Sequence, residues 1–309
     1  MDARDKIVKR VLVTGASGFL GQSFLKQACK NPNFEFFAVI SGRREVAFQE
    51  GITVVKANLL EHQQIEELIN NVRPDIIYHF AWGLEKQDFV NAEENLDWLM
   101  ASTHLLRAFI NKDGKRFVFA GSSAEYGYQN NICREGESEL PSDLYGITKK
   151  AFSDVALHIC RQMGISCAIA RIFSVYGSGE DRLVHTIPVA ISAFLSGNSF
   201  ICKAPNNVWD YIYIDDAVHA LVGLTESDFS GIVNIATGKP CVMRNVFEEI
   251  ASQLECCHLL YFENENEEGR MLVADTSILT NTLGIACNTS LKRGIAQTIN
   301  WWKIKKCEV

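Results

Sequence analysis

The sequence predicts an α/β protein built on a doubly wound parallel sheet, and three observations carry that prediction. Short apolar runs that suit buried strands alternate along the chain with amphipathic stretches that suit helices. A glycine-rich turn joins the first apolar run, residues 11–13, to the first helical pattern. The 309 residues are enough for one large domain or for two closely joined domains.

The glycine-rich turn has the sequence TGASGFLG at residues 14–21. Gly15 permits a tight turn, Gly18 lets the backbone approach a pyrophosphate, and Gly21 lets the helix pack closely against the strand. The first N–H groups of a helix have no partner within it, so they face an anion there. The segment therefore predicts a Rossmann-type dinucleotide site, although a turn without a ligand is the alternative. The expected cofactor contacts in this turn are Gly15, Ser17, Gly18, Phe19, Leu20 and Gly21.

Further strands and helices follow in alternation. Strands are expected at residues 36–40, 52–55, 75–80 and 234–238, with another that begins at residue 117. Helices are expected across residues 20–28, 65–69, 93–110, 145–159, 187–195, 246–254 and 291–302. Open α/β sheets bind ligands at the carboxyl ends of their strands. We therefore expect Asn58 and Leu59 to lie at the adenine, and Phe80, Ala81 and Trp82 to contact the cofactor.

The end of the second strand bears on the choice between NAD and NADP. A carboxylate that holds a free ribose 2′-hydroxyl would repel a 2′-phosphate. Arg43 and Arg44 stand at this strand end instead, and guanidinium groups pair well with phosphate. The sequence thus favours NADP(H) over NAD(H). A solvated basic turn is the alternative, because Glu45 can neutralise one of the arginines.

Two segments together predict proton-transfer chemistry. One is a strand that ends in Ser122 and Ser123, and the other is a helix that begins with YGITK, residues 145–149. Tyr145 and Lys149 are one helical turn apart, so they lie on one face. A nearby ammonium favours phenolate, so we expect Lys149, with an oxidised nicotinamide ring, to lower the pKa of Tyr145. Ser122 can orient the carbonyl or alcohol that exchanges hydride with the cofactor.

Together these motifs resemble the extended short-chain dehydrogenases/reductases, in the NAD(P)-dependent sugar epimerase/dehydratase group. TGASGFLG resembles the family's TGxxGxxG, YGITK resembles its YxxxK, and Ser122 stands for its catalytic serine or threonine. RIFSVYG at residues 171–177 resembles RxFNxYG, and DYIYIDD at residues 210–216 resembles the segment that returns the chain to the sheet. The resemblance covers nearly the whole sequence.

What the resemblance implies extends to domains and ligands. Residues 1–176, with residues 209–237 returning to them, are expected to form the NADP(H)-binding domain. Residues 177–309 are expected to form mainly a smaller α/β substrate-binding region. The expected partners are a nucleotide-sugar substrate and a second copy of the chain in a homodimer, and Ile172 is added to the expected cofactor contacts.

Departures from the family pattern reduce the number of reactions that we expect this chain to catalyse. Ser123 and Ala124 occupy the positions where the family's 4,6-dehydratases carry an Asp-Glu pair. Elimination of water from a sugar needs an acid and a base beyond the tyrosine, so we do not expect dehydratase activity.

Other departures concern the residues that bind a nucleotide diphosphate in the family. Ser174 replaces the family's common asparagine, and Trp209 replaces an arginine that often precedes Asp210. Arg182 and Arg270 are candidates to bind the diphosphate in place of these residues, because a guanidinium group can form two parallel hydrogen bonds with a phosphate. An ordinary surface position for either arginine is the alternative. The expected substrate contacts are Ser123, Ser174, Arg182, Trp209 and Arg270.

The resulting expectation is an NADPH-dependent reductase of a GDP-, CDP- or dTDP-linked 4-keto-6-deoxy sugar, with Tyr145 as proton donor. Residues 121–127, GSSAEYG, resemble the corresponding segment of 4-keto-6-deoxyhexose reductases. A nucleotide-sugar 4-epimerase with tightly bound NAD would use the same serine, tyrosine and lysine, and it is the first alternative. A regulator that senses NADP(H) without turnover is less favoured, because it needs no proton donor.

Composition excludes several other classes. A net charge of −7 argues against nucleic-acid and membrane-surface binding. With no secretory signal or stretch long enough to span a bilayer, we expect a cytoplasmic protein. The ten cysteines include no Cys-x-x-Cys pair, so reduced thiols are expected and no metal site. The group Cys256-Cys257-His258 is assigned to packing, and His79 to the protein interior.

Overall fold

The predicted fold class is confirmed by a computed structural model. It describes residues 8–42, 46–84, 88–128, 131–137 and 139–307. The strands are β1 (Lys9–Thr14), β2 (Phe34–Ile40), β3 (Ile52–Lys56), β4 (Ile76–His79), β5 (Arg116–Ser122), β6 (Ile132–Cys133), β7 (Ser166–Ile172), β8 (Ser174–Tyr176), β9 (Phe200–Cys202), β10 (Val208–Trp209), β11 (Tyr211–Tyr213), β12 (Gly231–Ile235), β13 (Cys241–Val242), β14 (Leu260–Phe262) and β15 (Met271–Ala274). The helices are α1 (Phe19–Ala28), α2 (His62–Val72), α3 (Glu94–Ile110), α4 (Leu144–Met163), α5 (Thr186–Leu195), α6 (Ile214–Glu226), α7 (Met243–Gln253) and α8 (Leu291–Cys307).

A seven-stranded parallel sheet in the order β12-β7-β5-β4-β1-β2-β3 forms the centre of the molecule. The chain winds from β1 to β3 on one side and then crosses to β4 on the other. Thr14 pairs with His79 in register, so β1 and β4 end at the same level. The crevice between those two carboxyl ends is the topological switch point, where such sheets bind ligands.

Two apolar cores cover the two faces of this sheet. Along β1, Val11 and Val13 face the core beneath α1 and α6, whereas Leu12 faces the core beneath α2, α3 and α4. All three side chains are fully buried. A strand buried on both faces must be apolar at every position, which is why the strands appear in the sequence as continuous apolar runs.

Smaller strands carry the remaining part of the chain. A four-stranded sheet has the order β13-β10-β15-β6, and two-stranded sheets pair β11 with β8 and β14 with β9. Helices α5, α7 and α8 enclose a third apolar core beside them. Because β6 pairs with β15, the segment that follows β5 leaves the central sheet and joins the four-stranded sheet.

One predicted strand is displaced along the chain. Residues 234–238 were expected to be extended, but β12 covers Gly231–Ile235. The backbone N–H groups of Thr237 and Gly238 donate to the buried carboxylate of Asp210 at 2.9 and 2.8 Å, not to a neighbouring strand. The chain therefore turns away from the sheet after Ile235.

The described segments contain no helix that is both long and apolar enough to cross a membrane. The same residues contain no group of three His, Cys, Asp or Glu side chains arranged to hold a metal ion.

Candidate active site

The glycine turn lies at the switch point, and its geometry leaves no room for side chains. Gly15 has φ of +66°, and a Cβ there would lie 2.7 Å from the Ala81 nitrogen and 2.8 Å from the Phe80 carbonyl carbon. A Cβ at Gly21 would lie 2.3 Å from the Gly15 oxygen. Gly18 precedes α1 and no side chain caps that helix. The first N–H groups of α1 therefore remain available to an anion, and the turn fits a dinucleotide pyrophosphate.

The other predicted cofactor contacts lie around this turn in different environments. The Ser17 carbonyl accepts from the Gln22 side chain at 2.8 Å, while Phe19 and Leu20 pack towards the third core. Asn58 follows β3, and its side-chain oxygen accepts from the Leu60 N–H at 3.2 Å. Leu59 is only 5% exposed and packs in the core, so its side chain does not face the crevice.

His79 occupies the interior, with both ring nitrogens hydrogen-bonded. The Ser102 hydroxyl donates to the Trp98 carbonyl at 2.6 Å, so its oxygen accepts from His79 Nε2 at 2.8 Å. His79 Nδ1 then accepts from the Thr14 hydroxyl at 2.7 Å, and Thr14 accepts from the Ala81 N–H at 3.3 Å. Burial lowers the pKa of His79 to about 3. This neutral histidine ties the ends of β1 and β4 together.

Arg43 and Arg44 lie outside the described residues, but the chain beside them shows a cation that sequence reasoning missed. Lys56 pairs with Ile40 in the β2–β3 register. A Cβ on Gly42 would lie 2.4 Å from Lys56 Cε and 2.9 Å from its Nζ. The Lys56 ammonium therefore lies across the end of β2, and only the pairing of two separate strands brings it there.

Ser122, Tyr145 and Lys149 are brought together at the end of β5. Ser122 is the last residue of β5 and pairs in register with Ile172. Its side chain lies close enough to the Tyr145 hydroxyl to lower the pKa of that phenol. One helical turn further along α4, Lys149 Nζ lies 5.7 Å from the centre of the Tyr145 ring and donates to the Ala120 carbonyl at 2.8 Å. The serine hydroxyl and the ammonium thus both lie beside the phenol.

The pKa of Tyr145 differs from the expectation. Burial raises it to about 12, and the groups that oppose this rise are the Ser122 hydroxyl and the charge of Arg182. Lys149 is not among the main groups that set this value, and because its own pKa is about 7 the amine loses its charge before the phenol ionises. The phenol therefore stays protonated at neutral pH and is available as a proton donor, while the raised pKa makes it a weaker acid than an exposed tyrosine.

Aromatic rings surround the Lys149 ammonium, which is 3% exposed. Nζ lies 4.1 Å from the centre of the Trp82 ring and 4.4 Å from that of Phe119. Trp82 is held in place because its indole N–H donates to Asn95 Oδ1 at 2.8 Å. Burial lowers the pKa of Lys149 to about 7, while the Glu125 carboxylate acts in the opposite direction. Trp82, predicted as a cofactor contact, thus also forms part of the lysine environment.

A cavity of about 180 Å³ opens beside the serine pair. Ser123, Ser174 and Trp209, predicted from the sequence as substrate contacts, line it together. Tyr128 and Asp143 complete part of the wall, and Asp143 caps α4 by accepting from the Gly146 N–H at 2.8 Å. The four-stranded sheet therefore supplies one wall of the cavity, and the end of β5 and the start of α4 supply the other.

Arg270 lies near this cavity because its side chain stacks on Tyr128, which lines the cavity wall. Its guanidinium carbon lies 4.6 Å from the centre of the Tyr128 ring, which lies 5.9 Å from the Trp209 ring. The Arg270 backbone is fixed, since its N–H donates to Asn207 Oδ1 at 2.9 Å and its carbonyl accepts from Val208 at 2.8 Å. Across the described ranges no carboxylate pairs with its side chain.

Arg182 is held differently. Its Nε and one terminal nitrogen donate to the two oxygens of Glu180 at 2.8 and 2.6 Å. Glu180 is only 3% exposed, so this is a partly buried, bidentate pair. The positive charge of Arg182 lowers the pKa of Tyr145. The pairing with Glu180, two residues away, was missed from the sequence.

A model of the NAD dependent epimerase/dehydratase family matches residues 11–236. The chain is 24% identical over 318 residues to GDP-mannose 3,5-epimerase 1 of Oryza sativa subsp. indica, covering 95% of this chain and 82% of that protein. The structure of UDP-glucose 4-epimerase from Thermotoga maritima with UDP-glucose superposes with a TM-score of 0.88 at 20% identity, covering 96% of this chain and 99% of that one. For the UDP-glucose 4-epimerase of Thermus thermophilus in complex with NAD, the TM-score is 0.85 at 21% identity, covering 95% and 99%.

Proposed function

This chain belongs to the NAD dependent epimerase/dehydratase family, and we propose that it is an NADPH-dependent reductase of a nucleotide-activated 4-keto-6-deoxy sugar, linked to GDP, CDP or dTDP. The observation that carries the proposal is the convergence of Ser122, Tyr145 and Lys149 at the end of β5, where Lys149 Nζ lies 5.7 Å from the centre of the Tyr145 ring. Reduction of a ketone needs a donor that is protonated at neutral pH, and this phenol meets that need.

The proposed roles follow from the contacts of each side chain. The bound dinucleotide supplies the hydride. Tyr145 donates its proton to the sugar oxygen at C4, so that the carbonyl becomes an alcohol. Ser122 Oγ accepts from the Ala124 N–H at 3.1 Å, which leaves its own proton free to hold that oxygen. After transfer, the Ser122 hydroxyl and the charge of Arg182 stabilise the phenolate.

On the substrate side, residues 177–309 are proposed to hold most of the nucleotide sugar. Ser123 and Ser174 contact the sugar in the cavity, and Trp209 contacts it from the opposite wall. We assign the diphosphate to Arg270 rather than to Arg182. Glu180 neutralises Arg182 and takes two of its five N–H donors, whereas Arg270 has no carboxylate partner among the described residues.

Replacing Arg270 by alanine should raise the KM for the nucleotide sugar about 10- to 100-fold with little change in kcat, since a charge-assisted hydrogen bond is lost. Steady-state kinetics with the preferred sugar measures the effect. Arg244→Ala is the matched control, because Arg244 also stacks on an aromatic ring, with its guanidinium carbon 3.9 Å from the centre of Phe262. An equal rise of KM in both variants would argue against the assignment.

NADP(H) is the proposed cofactor, held by the glycine turn with Arg43 and Arg44 at the 2′-phosphate. The position of Lys56 supports this proposal, because its ammonium lies against Gly42 at the end of β2. No carboxylate stands between Ile40 and Arg44 to hold a free 2′-hydroxyl.

The variant Lys56→Ala should weaken NADPH binding about 5- to 30-fold and leave NADH binding nearly unchanged, because a phosphate contact is lost. Titration of the purified protein with each dinucleotide, followed by protein fluorescence, needs no sugar substrate. Lys9→Ala, at the amino end of β1, is the control and should change neither affinity. Equal losses for NADPH and NADH would remove Lys56 from the 2′-phosphate site.

A homodimer is proposed from the apolar surface of two neighbouring helices. Leu96 and Met100 on α3 are 48% and 57% exposed, and Ile147 and Val155 on α4 are 48% and 47% exposed. Met100→Glu should therefore convert a dimer to a monomer in sedimentation, because a charge cannot be buried there unpaired. Ile201→Glu, on β9, should leave the dimer intact. A wild-type protein that sediments as a monomer would contradict the proposal.

A 4-epimerase with tightly bound NAD remains the second candidate, and the similar structures of UDP-glucose 4-epimerases favour it. Such an enzyme would retain its dinucleotide through purification and consume none. The released cofactor of the denatured protein, identified by mass, separates the two candidates. If one NAD were released per protein chain and the protein consumed no NADPH, the epimerase would become the favoured function and the reductase would be rejected.

A further inference from the structure

Behind the proposed catalytic serine lies a carboxylate to which the proposed function assigns no role. Glu125 is fully buried in the 3-10 turn Ser123–Tyr126. One of its oxygens accepts from the Ser122 backbone N–H at 2.8 Å, and the other accepts from Arg171 Nε at 2.9 Å. A Cβ on Gly121 would lie 2.6 Å from that first oxygen, so the glycine makes room for the carboxylate.

Arg171 is shared between two carboxylates. Its guanidinium is fully buried, lies 4.5 Å from the Tyr126 ring centre, and has a second nitrogen 2.6 Å from Glu139. Lys150 neutralises part of Glu139 from the surface side at 3.0 Å. Lys150 is itself shared with Asp154 at 2.7 Å, so Arg171 is divided between Glu125 and Glu139 and balances the charge of Glu125 only in part.

The Lys149 ammonium is the cation available to that charge. From the turn after β5 it faces Glu125, from its own helix Tyr145, and from β4 His79, which is neutral. Its remaining neighbours are the Ala120 carbonyl and two aromatic rings. Burial raises the pKa of Glu125, but the Arg171 guanidinium and the Ser122 N–H oppose that rise, and these two donors favour the ionised carboxylate.

We propose that Glu125 is a positioning residue of this site: it fixes the backbone of Ser122 and supplies the negative charge that keeps Lys149 protonated. Two structural features connect these tasks. The carboxylate accepts from the Ser122 N–H and lies against Gly121, while the Lys149 ammonium donates to the Ala120 carbonyl, so both charged groups contact the last three residues of β5. The meaning of this arrangement for catalysis rests on the proposed function, but the protonation of Lys149 can be measured without any substrate.

The experiment follows the Lys149 side chain by NMR in the full-length protein carrying ¹³C-labelled lysine, over a pH titration. Lys149→Arg assigns the signal. In Glu125→Gln, which keeps the shape and removes the charge, the midpoint should fall by about one pH unit or more, a tenfold change in proton affinity. Glu139→Gln is the matched control, because it also takes a carboxylate from Arg171 but contacts neither Ser122 nor Lys149, and its midpoint should stay within about 0.3 units of wild type. Equal midpoints in wild type and Glu125→Gln would overturn the proposal.

Turnover supplies a second readout. A group that must be protonated causes activity to fall as the pH rises through its pKa, so the alkaline limb of the rate profile should move to lower pH in Glu125→Gln and not in Glu139→Gln. If Glu125→Gln does not fold, Glu125→Asp replaces it. This variant keeps the charge and shortens the reach to Ser122, so the rate should fall while the Lys149 midpoint is retained. A midpoint lowered by one unit in Glu125→Asp, with an unchanged rate, would also overturn the proposal.

The two hypotheses fail separately. If the protein oxidises no NADPH with any 4-keto sugar but the Lys149 midpoint falls in Glu125→Gln, the proposed reaction is wrong and the effect of Glu125 on the protonation of Lys149 is confirmed. If NADPH is oxidised but the midpoint is unmoved, the reaction stands and the role of Glu125 is wrong.

Discussion

Tyr145→Phe is expected to lower kcat about 10²- to 10⁴-fold, the usual contribution of a positioned proton donor. Phenylalanine keeps the ring, whose centre lies 5.3 Å from that of Phe89 and 6.4 Å from that of Trp82. Only the hydroxyl beside Ser122 is lost. Substrate and dinucleotide affinities should therefore change little, and the loss should appear in the chemical step.

Single-turnover loss of NADPH absorbance in the presence of the keto sugar measures that step. Tyr176→Phe is the control, because Tyr176 is also buried and its hydroxyl donates to the Leu291 carbonyl of α8 at 3.5 Å. The control should react at close to the wild-type rate. A Tyr145→Phe protein that keeps most of its single-turnover rate would show that another group protonates the sugar.

Gly15→Ala is expected to weaken dinucleotide binding by about 100-fold or more, because the added methyl collides with backbone and distorts the pyrophosphate turn. The methyl carbon would lie 2.7 Å from the Ala81 nitrogen, and the backbone of the opposite strand end has little freedom to retreat. A left-handed conformation, φ +66°, adds about 1–2 kcal/mol of strain for a residue with a side chain. The variant should also unfold at a lower temperature.

Gly51→Ala separates the two effects. Gly51 has φ of +88°, but a Cβ there would meet no atom within 4 Å. This control should therefore lose stability through backbone strain alone and keep the wild-type dinucleotide affinity, as measured by calorimetric titration. If both variants bound the dinucleotide as well as wild type does, the pyrophosphate would not lie on this turn.

The parts of this structure that depend on local chemistry could be predicted from the sequence. The strand expected over residues 36–40 is β2, Phe34–Ile40, and the strand expected over 75–80 is β4, Ile76–His79. Apolar runs buried on both faces leave little ambiguity about such strands. The spacing of Tyr145 and Lys149 also fixed their common helix face, because helical periodicity is a local property.

Features that arise from contacts between distant parts of the chain could not be predicted. Lys149 was expected to lower the pKa of Tyr145, but Trp82 and Phe119 lie against its ammonium and burial of the phenol dominates. Trp82 comes from the loop after β4, and no local pattern reveals that contact. Lys56 reaches the end of β2 only through strand pairing. The roles of Arg43 and Arg44 stay predictions.

The environments of the candidate diphosphate ligands illustrate the same point. Nothing in the sequence separates Arg182 from Arg270, since both follow flexible, polar segments. In the folded chain Glu180 holds the first in a bidentate pair, whereas Tyr128 stacks against the second beside the cavity. Charge and side-chain type suggested both residues, and only tertiary packing distinguishes them.

The most direct test of the account is to incubate the purified protein with NADPH and, in turn, GDP-, CDP- and dTDP-linked 4-keto-6-deoxy sugars, and to count products. The account predicts that one of these sugars is reduced at C4, with one NADPH oxidised for each alcohol formed, and that Tyr145→Phe abolishes most of this rate. Interconversion of 4-hydroxy sugars by a protein that carries its own NAD and oxidises no NADPH would contradict it.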